Sequence, residues 1–264
     1  STTVKLITDI LKNDGRDARS VGNIGKSILN ERNIKKNTFF VIEASSYQIE
    51  YSKFFKSKYS ILLNINPDHI DRHGSFRKYL QAKLKLFNNT SKKDYALFNS
   101  KNSIIKNAFK KKKLECNIIN VNQKINNKYN NSIKNKYFFN QNNQENLSFV
   151  FKICEKIKIS KKVIIKTINN FQGLNYRQQT IYNSKKLLII NDSKSTSFSS
   201  TINLINSYNN IFWILGGLPK KNDKFNFKKN KHSKIQAYIF GKSTNFFIKK
   251  LKNKIEFQVF QSLK

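Results

Sequence analysis

The feature that most constrains this chain is the form of its apolar segments. Residues 38–43 (TFFVIE) and 59–65 (YSILLNI) are short continuous runs of aromatic and branched residues, with no polar residue at every second position. Runs of that kind read as strands covered on both faces, as in a parallel sheet. Further strands are expected at 94–99 (DYALFN), 186–191 (KLLIIN), 211–217 (IFWILGG), 237–241 (AYIFG) and 256–260 (EFQVF). Between them lie helical segments. Residues 2–12 put Val4, Ile7 and Leu11 on one face with Ile10 adjacent, behind Ser1 and Thr2 as N-cap residues. Residues 75–88 open on a Ser cap, and 144–157, 160–170, 197–207 and 243–252 complete the set. Strand–helix–strand alternation predicts doubly wound α/β units. The pattern restarts after Gly173, which divides the chain into 1–173 and 174–264. The Lys- and Asn-rich stretch 100–140 predicts short strands and loops, and no internal repeat is visible.

Charge suggests a different reading. Lys and Arg number 51 against 15 Asp and Glu, a net +36, which invites a nucleic-acid partner. Yet Arg, the usual base reader, occurs only at 16, 19, 32, 72, 77 and 177, and the lysines are spread along the whole chain. Lys, Asn, Ile and Phe share AT-rich codons, so base composition alone yields such a chain. The expectation is therefore no specific nucleic acid. No apolar run nears the ~20 residues of a membrane span, and the N-terminus shows no signal-peptide pattern. Cys116 and Cys154 lack metal-ligand spacing, so a reducing cytoplasm is expected. Met is absent, first residue included, which implies a fragment or a processed product.

Against this background the scarce residues cluster. Gly22 and Gly25 bracket GNIG, and Pro67, Asp68, His69, Asp71, Arg72, His73 and Gly74 form one run. Gly173 and Arg177 sit in GLNYR, Asp192 in INDSKST, and Gly216, Gly217 and Pro219 in LGGLPK. Several follow predicted strands, where open parallel sheets bind ligands. Each has two readings. Ser1 and Thr2 cap a helix or face an anion. Glu43 is a loop-entry carboxylate or a magnesium ligand. His69 belongs to a hydrogen-bonded turn or to a metal or phosphate site. Asp192 and Lys194, with Thr196 nearby, make a helix cap or a ribose or carboxylate pocket. Lys83, one turn after Tyr79, reads from the sequence alone as a surface lysine.

Taken together the motifs resemble the Mur ligase family. STTV looks like the tail of the family's phosphate loop. GNIG, EASSYQIE (43–50), LNINPDHIDRH (63–73) with Tyr79 and Ala82–Lys83, GLNYR (173–177), INDSKST (190–196) and LGGLPK (215–220) run in the family's order. EASSYQIE and GNIG point to the branch that adds D-glutamate. The resemblance implies a central P-loop-type ATPase domain with a parallel sheet, lacking its first strand and phosphate loop, and a truncated Rossmann-like C-terminal domain. It implies ATP, two Mg²⁺ ions, Lys83 as a candidate for carbamylation, and UDP-N-acetylmuramoyl-L-alanine and D-glutamate as substrates of a cytoplasmic monomer.

By resemblance, Ser1 and Glu43 hold one Mg²⁺, and His69 with the Lys83 carbamate a second. Thr2 binds nucleotide phosphate, and Asn23 and Ser45 meet the muramoyl substrate. Asn146 meets adenine, Arg177 the γ-phosphate and Asp192 the ribose. Lys194, Thr196 and Lys220 face amino-acid carboxylates. The sequence departs from the family pattern at Tyr176, where His is expected, and at Ser197, where Asn is expected. Residues 140–146 lack the family's Gly and His, and Pro219 follows Leu218 in the last loop. Without the upstream phosphate loop and uridine domain, the segment alone is expected to be inactive.

Overall fold

In the computed structural model, the described residues are 1–122, 129, 131–219, 223, 225–227 and 234–262. They form two units, Ser1–Phe171 and Gln172–Lys264.

The first unit opens with α1 (Thr2–Asn13), followed by β1 (Ala18–Gly22), β2 (Phe39–Glu43), α2 (Ser46–Tyr51) and β3 (Tyr59–Leu62). Next come α3 (Ile70–His73), α4 (Phe76–Leu84), β4 (Tyr95–Asn99), α5 (Ser103–Lys111) and β5 (Asn117–Val121). Two helices, α6 (Gln141–Lys156) and α7 (Lys161–Asn170), complete the unit. β1 and β2 pair in parallel, and β3, β4 and β5 form a second parallel set with β4 central. β4 shows why continuous apolar runs signal this architecture. Its Ala96 and Phe98 join Phe87, Ile105 and Phe109 beneath α4 and α5. Its Leu97 joins Leu6, Ile10, Leu147 and Ile164 beneath α1, α6 and α7. Successive side chains enter different cores, and burying a Leu or Phe among them contributes about 1.5–3 kcal/mol.

Several helices of the first unit begin where a short polar side chain accepts a free N–H, whereas Ser1, the expected cap of α1, makes no such side-chain bond. Ser75, Asn102, Asn140 and Ser160 cap α4, α5, α6 and α7. α5 lies in the stretch expected to hold only strands and loops. Its signal is the Asn102 cap followed by Ile105 and Phe109 one turn apart, both buried. β1 was also not expected, because ARSVG offers little apolar character. β3 ends at Leu62, short of residue 65, where its ladder with β4 stops. On α1 the buried residues are Thr2, Thr3, Leu6, Ile7, Thr8, Ile10 and Leu11, whereas Val4 is only partly buried.

In the second unit β8 (Asn210–Gly216), β9 (Lys234–Phe240) and β10 (Glu256–Phe260) form a parallel sheet with β9 central. Helices α8 (Phe198–Ile205) and α9 (Thr244–Leu251) supply Phe198, Phe247 and Leu251 to a core with Leu215, Ala237 and Ile239. The run at 186–191 does not join that sheet. Its strand β7 (Leu188–Asn191) pairs antiparallel with β6 (Gln179–Asn183), and most of its apolar side chains are solvent-exposed. An apolar run this short carries no information about which sheet it enters.

Gly22 closes β1 with φ 98°, opposite Glu43. A Cβ there would sit 2.4 Å from the Glu43 carbonyl oxygen, which is backbone and cannot swing aside. Gly22→Ala is therefore expected to destabilise the first unit by about 2–3 kcal/mol, combining positive-φ strain with a backbone shift. Amide exchange at Val21 and Ile42 measures it, and unchanged protection there would refute the clash.

Candidate functional site

The carboxyl ends of β1 and β2 and the start of α1 converge on Glu43. Its Oε2 is buried and lies 3.1 Å from the Ser1 α-ammonium, while its Oε1 accepts from Asn23 Nδ2 at 3.2 Å. The Asn23 backbone N–H also donates to the Glu43 carbonyl at 2.8 Å. In the 264-residue chain burial pushes the Glu43 carboxyl up, but the terminal ammonium at Ser1 and the hydrogen bonds from Ser1 and Asn23 outweigh it. The net position is below the ordinary carboxylate value. Two residues on, Ser45 begins α2 in a capping box. Gln48 N–H donates to Ser45 Oγ at 3.2 Å, and Ser45 N–H to Gln48 Oε1 at 2.9 Å. The Ser–Ser–Tyr–Gln spacing thus has a local structural use, and the Ser45 hydroxyl is engaged in it.

The NPDHIDRHG run forms the turn after β3 and the four-residue α3. His69 adopts a left-handed backbone (φ 54°, ψ 31°), with its N–H on Asp68 Oδ1 at 3.0 Å. Its ring is partly exposed and meets Tyr47 edge-on at 5.1 Å. Lys83 lies toward the end of α4 with its Nζ 5.2 Å from the centroid of the Tyr79 ring. Burial pulls the Lys83 ammonium below the ordinary lysine value, partly opposed by the charges of Asp68 and Glu43. Burial likewise pushes the Tyr79 phenol up to about 12. Lys83 is thus not the freely solvated lysine that its sequence position suggested. Glu43, His69 with Asp68, and Lys83 share one neighbourhood.

Thr2 is buried with its hydroxyl 3.3 Å from Tyr137 Oη. Asn146, on α6, accepts from Thr3 Oγ1 at 3.1 Å and donates to Asn143 at 3.3 Å. α6 therefore meets the first turn of α1.

In the second unit, GLNYR and INDSKST brace each other. Asp192 Oδ1 accepts the Gln178 N–H at 2.9 Å, and its Oδ2 accepts from Ser195 Oγ at 2.6 Å. The Lys194 N–H reaches the Tyr176 carbonyl at 2.9 Å, with Tyr176 and Gln178 both at positive φ. Burial raises the Asp192 carboxyl, against the lowering pull of Ser195, Gln178 and Arg177. Lys194 and Thr196 are exposed. Lys220 lies outside the described residues. The Phe198 N–H, at the start of α8, donates to Asp223 Oδ2 at 2.8 Å. Asp223 sits 25 residues downstream, a separation that periodicity does not reveal.

Among the described residues no group of three or more His, Cys, Asp or Glu surrounds one point, and no helix is long and apolar enough to cross a membrane. Magnesium needs only one or two protein carboxylates beside water and phosphate. The Glu43 carboxylate, largely shielded beside the start of α1 and bonded to Asn23, fits that demand.

The Mur ligase middle domain matches residues 1–177. The UDP-N-acetylmuramoylalanine–D-glutamate ligase of Rickettsia felis is 33% identical over the whole chain, and that of Rickettsia prowazekii is 32% identical. The chain spans 62% of the length of each. In fold it is similar to the MurF ligase of Thermotoga maritima in complex with ADP, with TM-score 0.70, 13% identity and coverage of 98% of this chain and 68% of that one. It is likewise similar to the UDP-N-acetylmuramate–alanine ligase MurC of Thermotoga maritima, with TM-score 0.66, 16% identity and coverage of 99% and 64%.

Proposed function

This chain belongs to the Mur ligase family, and on that premise we propose that it forms part of an ATP-dependent ligase joining D-glutamate to UDP-N-acetylmuramoyl-L-alanine in peptidoglycan precursor synthesis. The two D-glutamate ligases similar over its whole length support the choice of amino acid. The observation that carries the chemistry is Glu43: a shielded carboxylate at the end of a parallel strand, beside the start of α1 and bonded to Asn23.

In this reading the substrate carboxylate oxygen attacks the γ-phosphorus of ATP, and the bond to the β–γ bridging oxygen breaks to release ADP. The D-glutamate amine then attacks the acyl carbon and loses a proton, and the C–O bond to phosphate breaks. Such transfers depend on positioning and charge stabilisation. Magnesium, when bound, would neutralise charge on the phosphate oxygens. Ser1 and Glu43 would hold one ion, and His69 with a carbamylated Lys83 the other. Carbamylation fits a partly buried lysine with a lowered ammonium, because the neutral amine is the form that adds CO₂. The N–C bond forms as one C–O π bond of CO₂ opens onto oxygen, the nitrogen loses a proton, and a side chain that as an ammonium would repel the ion becomes an oxygen ligand.

Thr2 would face the nucleotide phosphates, and Asn23 and Ser45 the muramoyl substrate. Asn146 would meet adenine, Arg177 the γ-phosphate and Asp192 the ribose, since each carboxylate oxygen keeps a lone pair beside its present partner. Lys194, Thr196 and Lys220 would contact the amino-acid carboxylates. The reading has residues 1–173 as the ATPase domain and 174–264 as the C-terminal domain of a cytoplasmic monomer.

ADP release by the intact protein, given ATP, UDP-N-acetylmuramoyl-L-alanine and a panel of amino acids, tests the proposal. Turnover with D-glutamate above all others is expected. Turnover with a different amino acid would reassign it within the family, and none with D-glutamate would refute it.

A further inference from the structure

Of the two histidines in this turn, the mechanism above uses only His69. His73, four residues on, is the better-buried ring, with its side chain 2% exposed. Its Nε2 lies 3.0 Å from Ser46 Oγ, and its Nδ1 lies 3.8 Å from Glu50 Oε2. The ring stacks on Tyr47 at 5.5 Å with planes 6° apart, and meets Tyr79 at 5.4 Å. One imidazole thus touches three side chains of α2 and one of α4 while belonging to α3. The same two tyrosines meet the His69 ring, at 5.1 Å and 6.3 Å. Tyr79 also lies beneath Lys83. The arrangement is not a serine nucleophile relay, because Ser46 is buried.

We propose that His73 is a positioning residue: by locking α3 onto Ser46 and Tyr47, it fixes His69 and Tyr79, and through Tyr79 Lys83, relative to Glu43. Several observations converge. α3 has only four residues and cannot hold its own place, since short helices are marginal without packing. His69 begins it in a left-handed conformation that a non-glycine residue keeps only when its surroundings impose it. The His73 N–H donates to the His69 carbonyl at 3.0 Å, so His73 and that strained residue are joined directly. Ser46 lies three residues after Glu43, so the Ser46–His73 bond ties the carboxylate's strand end to the histidine turn.

The inference rests on the ligase reading, and its test separates the two. In the intact protein, His73→Phe keeps the ring and removes the Ser46 bond, as does Ser46→Ala from the other side. His73→Gln can restore a bond at the Nε2 position. Both bond-removing variants are expected to lower kcat for ADP formation about tenfold, with the KM for ATP within threefold of wild type. His73→Gln is expected to recover to within threefold of wild type. Imidazole ¹H–¹⁵N spectra supply a readout that needs no turnover. The His69 ring signals, assigned by their loss in His69→Asn, are expected to move in Ser46→Ala. Unmoved His69 signals, or a full kcat in Ser46→Ala, would overturn the positioning role. Wild-type protein lacking all ligase activity would overturn the functional reading instead, while the spectra would still decide for or against the lock.

Discussion

Glu43→Gln is expected to lower ADP formation by the intact protein about 10²–10³-fold, the scale seen when one charge-stabilising group is lost from an active site. Gln keeps the size of the side chain and an oxygen able to accept from Asn23 Nδ2. It removes only the negative charge held between Asn23 and the start of α1. The fold should survive, which a melting temperature within a few degrees of wild type would check. A second signature is the acid limb of stability. The folded Glu43 carboxyl lies below its ordinary value. Its stabilisation is therefore fully present above the ordinary carboxylate range and is lost as pH falls through the lower folded value. In the 264-residue chain the variant should lack that part of the limb. Activity within tenfold of wild type would remove Glu43 from the chemistry.

Lys83→Ala should be equally damaging, with activity down at least about a hundredfold. The interesting contrast is with stability. Burial lowers the Lys83 ammonium, so in the non-carbamylated chain the folded state takes up fewer protons there than the unfolded one. The resulting penalty is fully present below the folded value and eases as pH rises towards the ordinary lysine value. In carbon-dioxide-free buffer at neutral pH, Lys83→Met should therefore melt no lower than wild type while remaining inactive, a separation of stability from function. Small carboxylates added to Lys83→Ala should restore part of the activity by supplying the missing oxygen ligand. Isotope-labelled carbon dioxide should give a carbamate signal in wild type alone. Full activity in Lys83→Ala would remove the carbamate.

How far the sequence reveals these features depends on range. β3 and β4 were legible because both faces of a parallel strand are apolar, so the run itself is the signal. The Glu43 and His69 motifs were legible because Gly, Asp and His stand out where Lys and Asn dominate. α5 was not, since its apolar positions are few and the same background hid them. The antiparallel pairing of β6 and β7 is a property of the partner, not of the run. The lock between Ser46 and His73 spans 27 residues and depends on how two short helices meet. The same holds for the shielding of Lys83, which sequence alone made a surface residue.

The capping asparagines have a consequence for how such a chain can change. Where base composition drives codons towards Asn, most replaced positions lose something: a strand loses a branched side chain, and a helix interior loses propensity. The residue before a helix loses almost nothing, because Asn accepts the free N–H as well as Ser or Asp does. Asn102, Asn135 and Asn140 each do so here, the second at a single 3-10 turn. Helix starts are thus neutral ground on which mutational drift can accumulate. The boundaries of the fold can outlast a composition that would erode its interior.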